Sequence, residues 1–213
     1  MRKEADRRFS NGVLFVRNIK EACRVERNKG NVMGREMQIE EGMTFGMLAK
    51  EFQGEFPSAI LLAKQGNDLK ELDYEIKEAD DITFLDLTSE EGMRVYHRGV
   101  SFLLVKAAKD VLGEDAHVSI EHSLRGNLYC EIRNPKVEIS EELLKKLHEK
   151  MMEYVKADLP IRKKTFRKDR AIEVVKKQGM QDKAELFRFR RASNVNMYEL
   201  EGFYDYFYGY MPP

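Results

Sequence analysis

The chain has 213 residues, with 37 basic and 37 acidic side chains, so it carries no formal net charge. Its hydrophobic content of 42% is sufficient for packed cores, which excludes disorder throughout, and its length fits one large domain or two small ones. No apolar run reaches the length of a membrane span, and two distant cysteines, Cys23 and Cys130, exclude a disulfide framework and a four-cysteine zinc site. These features predict a soluble, cytoplasmic protein without a membrane partner.

Charge is distributed unevenly along the chain. Ten acidic and two basic residues lie between Asp68 and Glu91, whereas twelve basic and four acidic residues lie between Arg162 and Arg191. The basic stretch indicates either a surface that binds a polyanion such as RNA or a face that docks on the acidic segment. The residues predicted to contact RNA are Arg162, Lys163, Lys164, Arg167, Lys168, Arg188, Arg190 and Arg191.

The first half of the chain predicts short strands around one helix, after a polar N-terminal extension over 1–19. Thr44 is expected to cap the helix, whose buried face would carry Met47, Leu48 and Phe52. Strands are expected over 36–39, 60–63 and 82–85, with a turn at 65–67. Such an order is typical of a β-grasp, ubiquitin-like domain, which we assign to 20–88.

The second half predicts long helices beside strands. Ser89 and Ser140 each precede two acidic residues and are expected to begin long helices, and Asp169 is expected to cap a shorter one. Strands are expected over 118–120, 129–132, 161–166 and 185–189, the last from the alternation of Glu185, Phe187 and Phe189. This pattern predicts an α+β domain over 89–213, joined to the first domain without a flexible linker.

Several stretches resemble a known pair of domains. Residues from about 36 to 88, with "IEEGMTFGMLAKEF" and "EADDITFLDLTSEEGMRVY", resemble a TGS domain, the small β-grasp module of threonyl-tRNA synthetases and some GTPases. Residues from about 90 to 213, with "YHRGVSFLLVKAAKDVLG" and "GFYDYFYGYMPP", resemble the editing-type domain shared by threonyl- and alanyl-tRNA synthetases. The expected fold class is therefore α+β, with a β-grasp TGS domain followed by an editing-like domain.

The same pair of domains precedes a kinase domain in uridine-kinase-like proteins, where the editing motifs are typically degenerate. The resemblance implies that this chain is the N-terminal part of such a protein, with its own C-terminal kinase domain as a partner. The chain contains no Gly-x-x-x-x-Gly-Lys-Ser/Thr loop. No cofactor is therefore expected in this fragment, and ATP and Mg²⁺ would belong to the kinase domain.

The metal-binding or hydrolytic pocket of the synthetase family is degenerate in this sequence. The family's pair of helical histidines falls on His97 and Ser101, and its later cysteine and histidine fall on Phe207 and Met211. One imidazole and one hydroxyl do not make a tetrahedral nitrogen–sulfur zinc site, so no metal is expected.

Two further polar positions of that pocket persist as Lys183 and Asp205, which form either a simple ion pair or part of a site for a small polar ligand. Cys130 is expected to be a buried structural thiol, and His117 and His122 are expected on alternate faces across a strand and a turn. The aromatic stretch 203–210 is expected to pack in a core, with base stacking as its alternative.

No catalytic residue is predicted in this fragment. The leading hypothesis is a non-catalytic accessory region of a uridine-kinase-like protein, whose parent is a phosphotransferase. The alternative is a tRNA-editing-type hydrolase or an RNA-binding module related to threonyl-tRNA synthetase.

Overall fold

A five-stranded sheet forms the first part of the computed structural model, which describes residues 28–77, 81–124, 127–133 and 137–213. Its strands are β1 (Asn28–Val32), β2 (Arg35–Ile39), β3 (Leu62–Gln65), β4 (Asp68–Lys70) and β5 (Ile82–Leu85). One helix, α1 (Phe45–Phe52), is followed by a 3₁₀ turn (Gln53–Glu55). The strand order is β2-β1-β5-β3-β4. Strands β1 and β2 form one antiparallel hairpin and β3 and β4 another, while β5 lies between them, parallel to β1 and antiparallel to β3.

This order is the β-grasp arrangement that the sequence predicts, although the narrower TGS assignment stays a prediction. As expected, Thr44 caps α1, because its Oγ1 accepts a hydrogen bond from the backbone N–H of Met47 at 3.2 Å. The buried face of α1 consists of Phe45, Leu48, Ala49 and Phe52. Met47 was expected on this face and is instead 55% exposed, since it lies about 100° around the helix from Leu48.

The second part of the chain consists of four helices, a three-stranded sheet and a separate hairpin. Its elements are α2 (Glu90–Leu112), β6 (His117–Leu124), β7 (Asn127–Arg133), α3 (Glu141–Lys156), β8 (Arg162–Arg167), α4 (Lys168–Lys177), α5 (Gln181–Phe189), β9 (Asn194–Leu200) and β10 (Phe203–Asp205). The sheet has the order β10-β9-β8 and is antiparallel throughout, whereas β6 pairs only with β7. Phe102 of α2, Val175 of α4 and Phe187 of α5 share one core with Met197 of β9. The fold is therefore mixed α+β, as the sequence predicts.

Several local predictions are wrong. Residues 185–189 belong to helix α5, since Phe187 is fully buried while Phe189 is 87% exposed, as two residues on nearly opposite sides of a helix are. Asp169 does not cap α4 but lies in its first turn, after an N-cap at Arg167 that makes no side-chain capping bond. The strand expected over 60–63 begins two residues later, at Leu62.

Some strands have no counterpart in the prediction. These are β1, β4, β9 and β10. The N-terminal extension over 1–19 and Cys23 lie outside the described residues.

A hydrogen-bonded turn joins the last strand of the first sheet, β5, to helix α2. Ser89 caps α2 by accepting a bond from the N–H of Gly92 at 3.0 Å, and its hydroxyl donates to the carbonyl of Asp86 at 2.7 Å. The buried carboxylate of Asp86 in turn accepts bonds from Thr88 and from the hydroxyl of Ser58. This network leaves little freedom at the junction.

None of the helices in the described residues is long and apolar enough to cross a membrane.

Candidate functional site

The segment after β10 runs along α2 and builds the candidate pocket together with the first turn of α5. Arg98 of α2 donates to the carbonyl of Tyr210 at 3.2 Å. A Cβ on Gly99 would lie 2.4 Å from Cγ of Pro212, so only a glycine lets the two segments approach this closely. Phe102 meets the ring of Phe207 edge-on, with the ring centroids 5.9 Å apart.

An ion pair between Lys183 and Asp205 connects α5 to β10 beside this segment. The Asp205 side chain is fully buried, and its Oδ1 accepts hydrogen bonds from Nζ of Lys183 and from the N–H of Tyr206. Among the described residues, its Oδ2 has no hydrogen-bond partner. Burial raises the pKa of Asp205, although the charge of Lys183 and its hydrogen bond act in the opposite direction.

Phe207 closes this pair with an apolar ring. Nζ of Lys183 lies 5.9 Å from the ring centroid, a cation–π distance. The arrangement therefore offers one paired ammonium group, one buried carboxylate and one aromatic ring.

The other predicted pocket residues are not brought to this pair. The Ser101 hydroxyl donates to the carbonyl of His97 at 2.7 Å, one turn earlier in α2, so it is engaged by its own helix. His97 is half-buried, and its only ring contact within the described residues is with Tyr96. Met211 is buried elsewhere, and its backbone N–H donates to Oε1 of Glu71 at 3.3 Å.

Among the described residues, no group of three or more His, Cys, Asp or Glu side chains could hold a metal ion. Cys130 is half-buried, and burial raises the pKa of its thiol. His117 and His122 both belong to β6 rather than to a strand and a turn, since β6 pairs with β7 as far as Leu124.

The predicted RNA contacts divide into three groups. Lys163 faces the first sheet, where it pairs with Glu71 at 3.0 Å. Exposed Arg162 and Lys164 lie on the edge strand β8, and Lys164 pairs with Glu199 at 3.3 Å. The remaining five, Arg167, Lys168, Arg188, Arg190 and Arg191, lie at the end of α5 and where β8 meets α4.

This last group is held together by its own contacts. Nζ of Lys168 donates to the carbonyl of Arg190 at 3.2 Å, which joins the start of α4 to the end of α5. The guanidinium of Arg190 lies 5.0 Å from the ring centroid of Tyr206 and donates to its hydroxyl. Within the described part of the chain, Arg167 and Arg191 form no ion pair.

Two residues were not singled out by the sequence prediction. Phe189 lies between Arg188 and Arg190 in the sequence and is 87% exposed, whereas a strand was expected at this position. Glu71 is 8% exposed and accepts bonds from Lys163, Tyr198 and the N–H of Met211. The excess of acidic residues around it was the only signal, and it did not single out Glu71.

The aromatic stretch 203–210 follows the packing prediction for most of its members. Phe203 and Phe207 contact Phe102, and Tyr206 contacts Phe187. Tyr208 differs from them, since it is 87% exposed.

No protein-family model matches the chain. It is similar to threonine–tRNA ligases, with 26% identity over 168 residues to that of Syntrophotalea carbinolica, which covers 79% of this chain and 26% of the ligase. For the ligase of Aromatoleum aromaticum the identity is 25% and the coverage 81% and 27%, and for that of Aquifex aeolicus it is 21% with 85% and 28%. The chain spans about a quarter of the length of these curated relatives. It therefore resembles one part of a tRNA ligase, which supports a threonyl-tRNA-synthetase-like domain.

Proposed function

We propose that this chain is an RNA-binding module related to threonyl-tRNA synthetase, with an editing-type pocket that does not hydrolyse aminoacyl-tRNA. Similarity to threonine–tRNA ligases over about four fifths of the chain supports tRNA as the RNA class. The uridine-kinase-like parent stays a prediction, since the relatives described above are ligases.

The observation that carries the proposal is the closed pair of Lys183 and Asp205. Hydrolysis of an ester requires a water activated by a base or by a metal, and a site for the developing oxyanion. Here Oδ1 of Asp205 already accepts two hydrogen bonds, and Phe207 covers the pair with a ring that neither donates nor accepts a proton. Oδ2 of Asp205 accepts no hydrogen bond within the described residues, but the side chain is fully buried and the Lys183–Phe207 contact lies beside it, so we expect water to be kept from this carboxylate.

RNA binding is assigned to the exposed basic residues at the end of α5. Phosphate contacts by arginine and lysine supply most of the sequence-independent affinity for nucleic acid. Arg167, Arg188 and Arg191 are exposed, and Arg188 has only Glu185 nearby, at 3.9 Å. These cations are free to meet phosphates without breaking a buried ion pair.

The test measures binding and hydrolysis separately with threonine-specific tRNA. We expect the protein to bind the uncharged tRNA with an affinity that falls steeply as salt is added. Seryl-tRNA of the same sequence should lose serine no faster than in buffer.

Two variants complete the test. Reversal of Arg188 and Arg191 to glutamate should abolish binding, whereas reversal of Lys50 and Lys145, which are exposed on α1 and α3, should not. Deacylation that disappears in Lys183→Ala would establish a hydrolase and refute the proposal. Equal losses in the two charge-reversed pairs would refute the assigned surface.

A further inference from the structure

We infer that the exposed ring of Phe189 is a stacking platform for an unpaired RNA base, with the arginines around it holding the adjacent phosphates. This inference rests on the proposed RNA binding and specifies which part of an RNA the surface recognises. It concerns the end of α5, not the Lys183–Asp205 pocket.

Phe189 and Tyr208, both 87% exposed, are the most exposed large apolar side chains among the described residues. Phe189 occupies the last position of α5, whereas Phe187 on the same helix is completely buried. The other apolar side chain exposed on this helix, Leu186, retains 55% of its surface. Nearly the whole face of the Phe189 ring is therefore available to a flat partner.

Basic residues flank Phe189 in the sequence. Arg188 precedes it, and Arg190 and Arg191 follow it directly. Arg190 contacts Tyr206, and Lys168 from the preceding helix, α4, donates to its carbonyl at 3.2 Å. The ammonium of Lys168 also offsets the partial negative charge at the C-terminus of α5, which would otherwise repel a phosphate.

An exposed aromatic ring between arginines favours an unpaired nucleotide over a duplex. Base faces are covered by their neighbours inside an A-form helix, whereas an unpaired base can leave the stack and lie on an aromatic ring. An acidic protein segment would satisfy the arginines but would leave the Phe189 ring without a flat partner. The combination of ring and cations therefore points to single-stranded RNA.

The chain contains no tryptophan, which allows a direct measurement of stacking. In Phe189→Trp the new indole is the only tryptophan, and its fluorescence should be quenched when an unstructured RNA of about 12 nucleotides binds. Phe189→Ala should weaken binding of this RNA by about 5- to 100-fold while leaving the salt dependence of binding unchanged. Phe189→Tyr should restore most of the affinity.

Controls separate stacking from general surface effects. Leu186→Ala removes an exposed apolar side chain from the same helix and should bind the RNA as the wild type does. A blunt two-stranded RNA duplex with the same number of phosphates should bind Phe189→Ala and the wild type equally. Because the side chains of Phe189 and Leu186 are largely exposed, Phe189→Ala and Leu186→Ala should both retain the melting temperature of the wild type.

Each outcome has a distinct meaning. Unchanged single-strand affinity in Phe189→Ala, or an indole signal that does not move while RNA binds, would overturn the stacking inference and leave the proposed RNA binding intact. If the wild type bound no RNA even at low salt, both would fall. Competition by a polyglutamate peptide as strong as that by RNA would identify an acidic protein as the partner and also overturn the inference.

Discussion

At the scale of single residues, Gly92 has a role that its helical position does not suggest. It lies in the first turn of α2, where the chain crosses from the first sheet to the second part of the fold. A Cβ at this position would lie 1.9 Å from the carbonyl oxygen of Asp86, which is a backbone atom fixed by the junction network. The glycine therefore permits the tight turn that joins the two parts.

We expect Gly92→Ala to lower the free energy of unfolding by about 1–3 kcal/mol, because the added methyl group forces this turn apart. In an unobstructed helix the same change would raise it by about 1 kcal/mol. Urea unfolding of the variant and the wild type measures the difference.

The control is Gly54→Ala, since a Cβ at Gly54 would have no heavy atom within 4 Å. This change should be neutral or should stabilise the protein by less than about 1 kcal/mol. If Gly92→Ala were more stable than the wild type, the turn at 86–89 would accommodate the added methyl group without cost, which would contradict the expected clash.

Asp205 predicts a pH dependence of stability. Burial raises the pKa of its carboxyl group above the ordinary value of 3.8, so the folded chain binds this proton more tightly than the unfolded chain does. This tighter proton binding stabilises the folded chain. The stabilisation is complete below about pH 4 and is lost as the pH rises through the raised pKa of Asp205. Asp205→Asn lacks this titration.

We compare the free energies of unfolding of the wild type and of Asp205→Asn. As the pH rises from about 4 to about 7, the wild type should lose stability relative to the variant. Using the difference removes the contributions of the other carboxylates, some of which, such as Asp110, have lowered pKa values and act with the opposite sign. Urea unfolding of both proteins across this range gives the measurement. A difference that does not vary with pH would contradict a raised pKa.

The residues that the sequence placed best are those whose partners are local. Thr44, Ser89 and Ser140 cap their helices as expected, because an N-cap bonds to an N–H three residues later and needs nothing from the rest of the chain. Lys183 and Asp205 are brought into contact, but their sequence positions did not reveal the unpartnered Oδ2 of Asp205, which depends on burial.

At the scale of elements, α2 and α3 are held together by a polar contact inside an apolar interface. Asp110 of α2 accepts bonds from Lys106 at 2.9 Å and from the hydroxyl of Tyr154 on α3. The side chain of Lys106 is only 6% exposed, and its ammonium lies 4.9 Å from the ring centroid of Tyr154. Asp110 therefore neutralises a cation that is almost fully buried.

We expect Asp110→Ala to lower the free energy of unfolding by about 2–4 kcal/mol, because it leaves the Lys106 ammonium buried without its counterion. The value lies toward the low end of the range for a fully buried pair, since the Asp110 side chain is 36% exposed. Chemical denaturation measures the change.

Glu173→Ala on α4 is the matched control. It removes a carboxylate that pairs with Arg170 on the helix surface, where both side chains are about 60% exposed, so it should change stability by less than about 1 kcal/mol. Similar losses in Asp110→Ala and Glu173→Ala would mean that burial of Lys106 has no special cost.

Elements with a clear hydrophobic period were predicted, and those without one were not. Helices α2 and α3 are long and carry their own caps, so their patterns are unambiguous. Helix α5 has only nine residues, too few to show a clear helical period. The alternation of Glu185, Phe187 and Phe189 near its end matches the period of a strand instead. Strands β1 and β4 have the sequences NKGNV and DLK, which are too polar to give a strand signal.

At the scale of the whole molecule, Glu71 is the polar centre of the contact between the first sheet and the second part. It accepts bonds from Lys163 and Tyr198, and three tyrosine rings surround Nζ of Lys163 at 5.6–5.7 Å, those of Tyr74, Tyr198 and Tyr210. Burial alone would lower the pKa of Lys163, but the hydrogen bond to Glu71, the charge of Glu71 and the nearby Tyr74 together outweigh this effect and raise the pKa.

Removal of this centre should uncouple the two parts. In Glu71→Ala we expect the free energy of unfolding to fall by about 3 kcal/mol, because the Lys163 ammonium and the N–H of Met211 lose their acceptor, whereas the hydroxyl of Tyr198 keeps the carbonyl of Gly209 at 2.8 Å. Differential scanning calorimetry should show the single unfolding transition broaden or split in two.

Asp73→Ala controls for the loss of one negative charge in the same loop, since Asp73 is exposed, and it should leave the transition unchanged. Lys163→Met should reproduce the effect of Glu71→Ala, whereas Lys164→Met should not, because Lys164 lies on the exposed edge of β8. One sharp transition in Glu71→Ala would show that the apolar contacts alone couple the two parts.

Sequence reasoning foresaw the opposite charges of the two segments but not the ion pair of Glu71 and Lys163 that connects them. Glu71 lies 92 residues from Lys163 and 140 from Met211, so no local pattern connects them. The β-grasp order and the α+β class followed from local periodicity, whereas the choice of Lys163 among its basic neighbours depends on which face of β8 meets the first sheet.

The hydrogen-bonded turn before α2 fixes the direction in which this helix leaves the first sheet. Its 23 residues span about 34 Å, so a tilt of about 5° at the 86–89 turn would move its far end by about 3 Å. That displacement exceeds the length of a hydrogen bond and would separate Asp110 from the hydroxyl of Tyr154 on α3. The hydrogen-bonded turn at one end of α2 therefore also sets whether the contact with α3 at its other end can form.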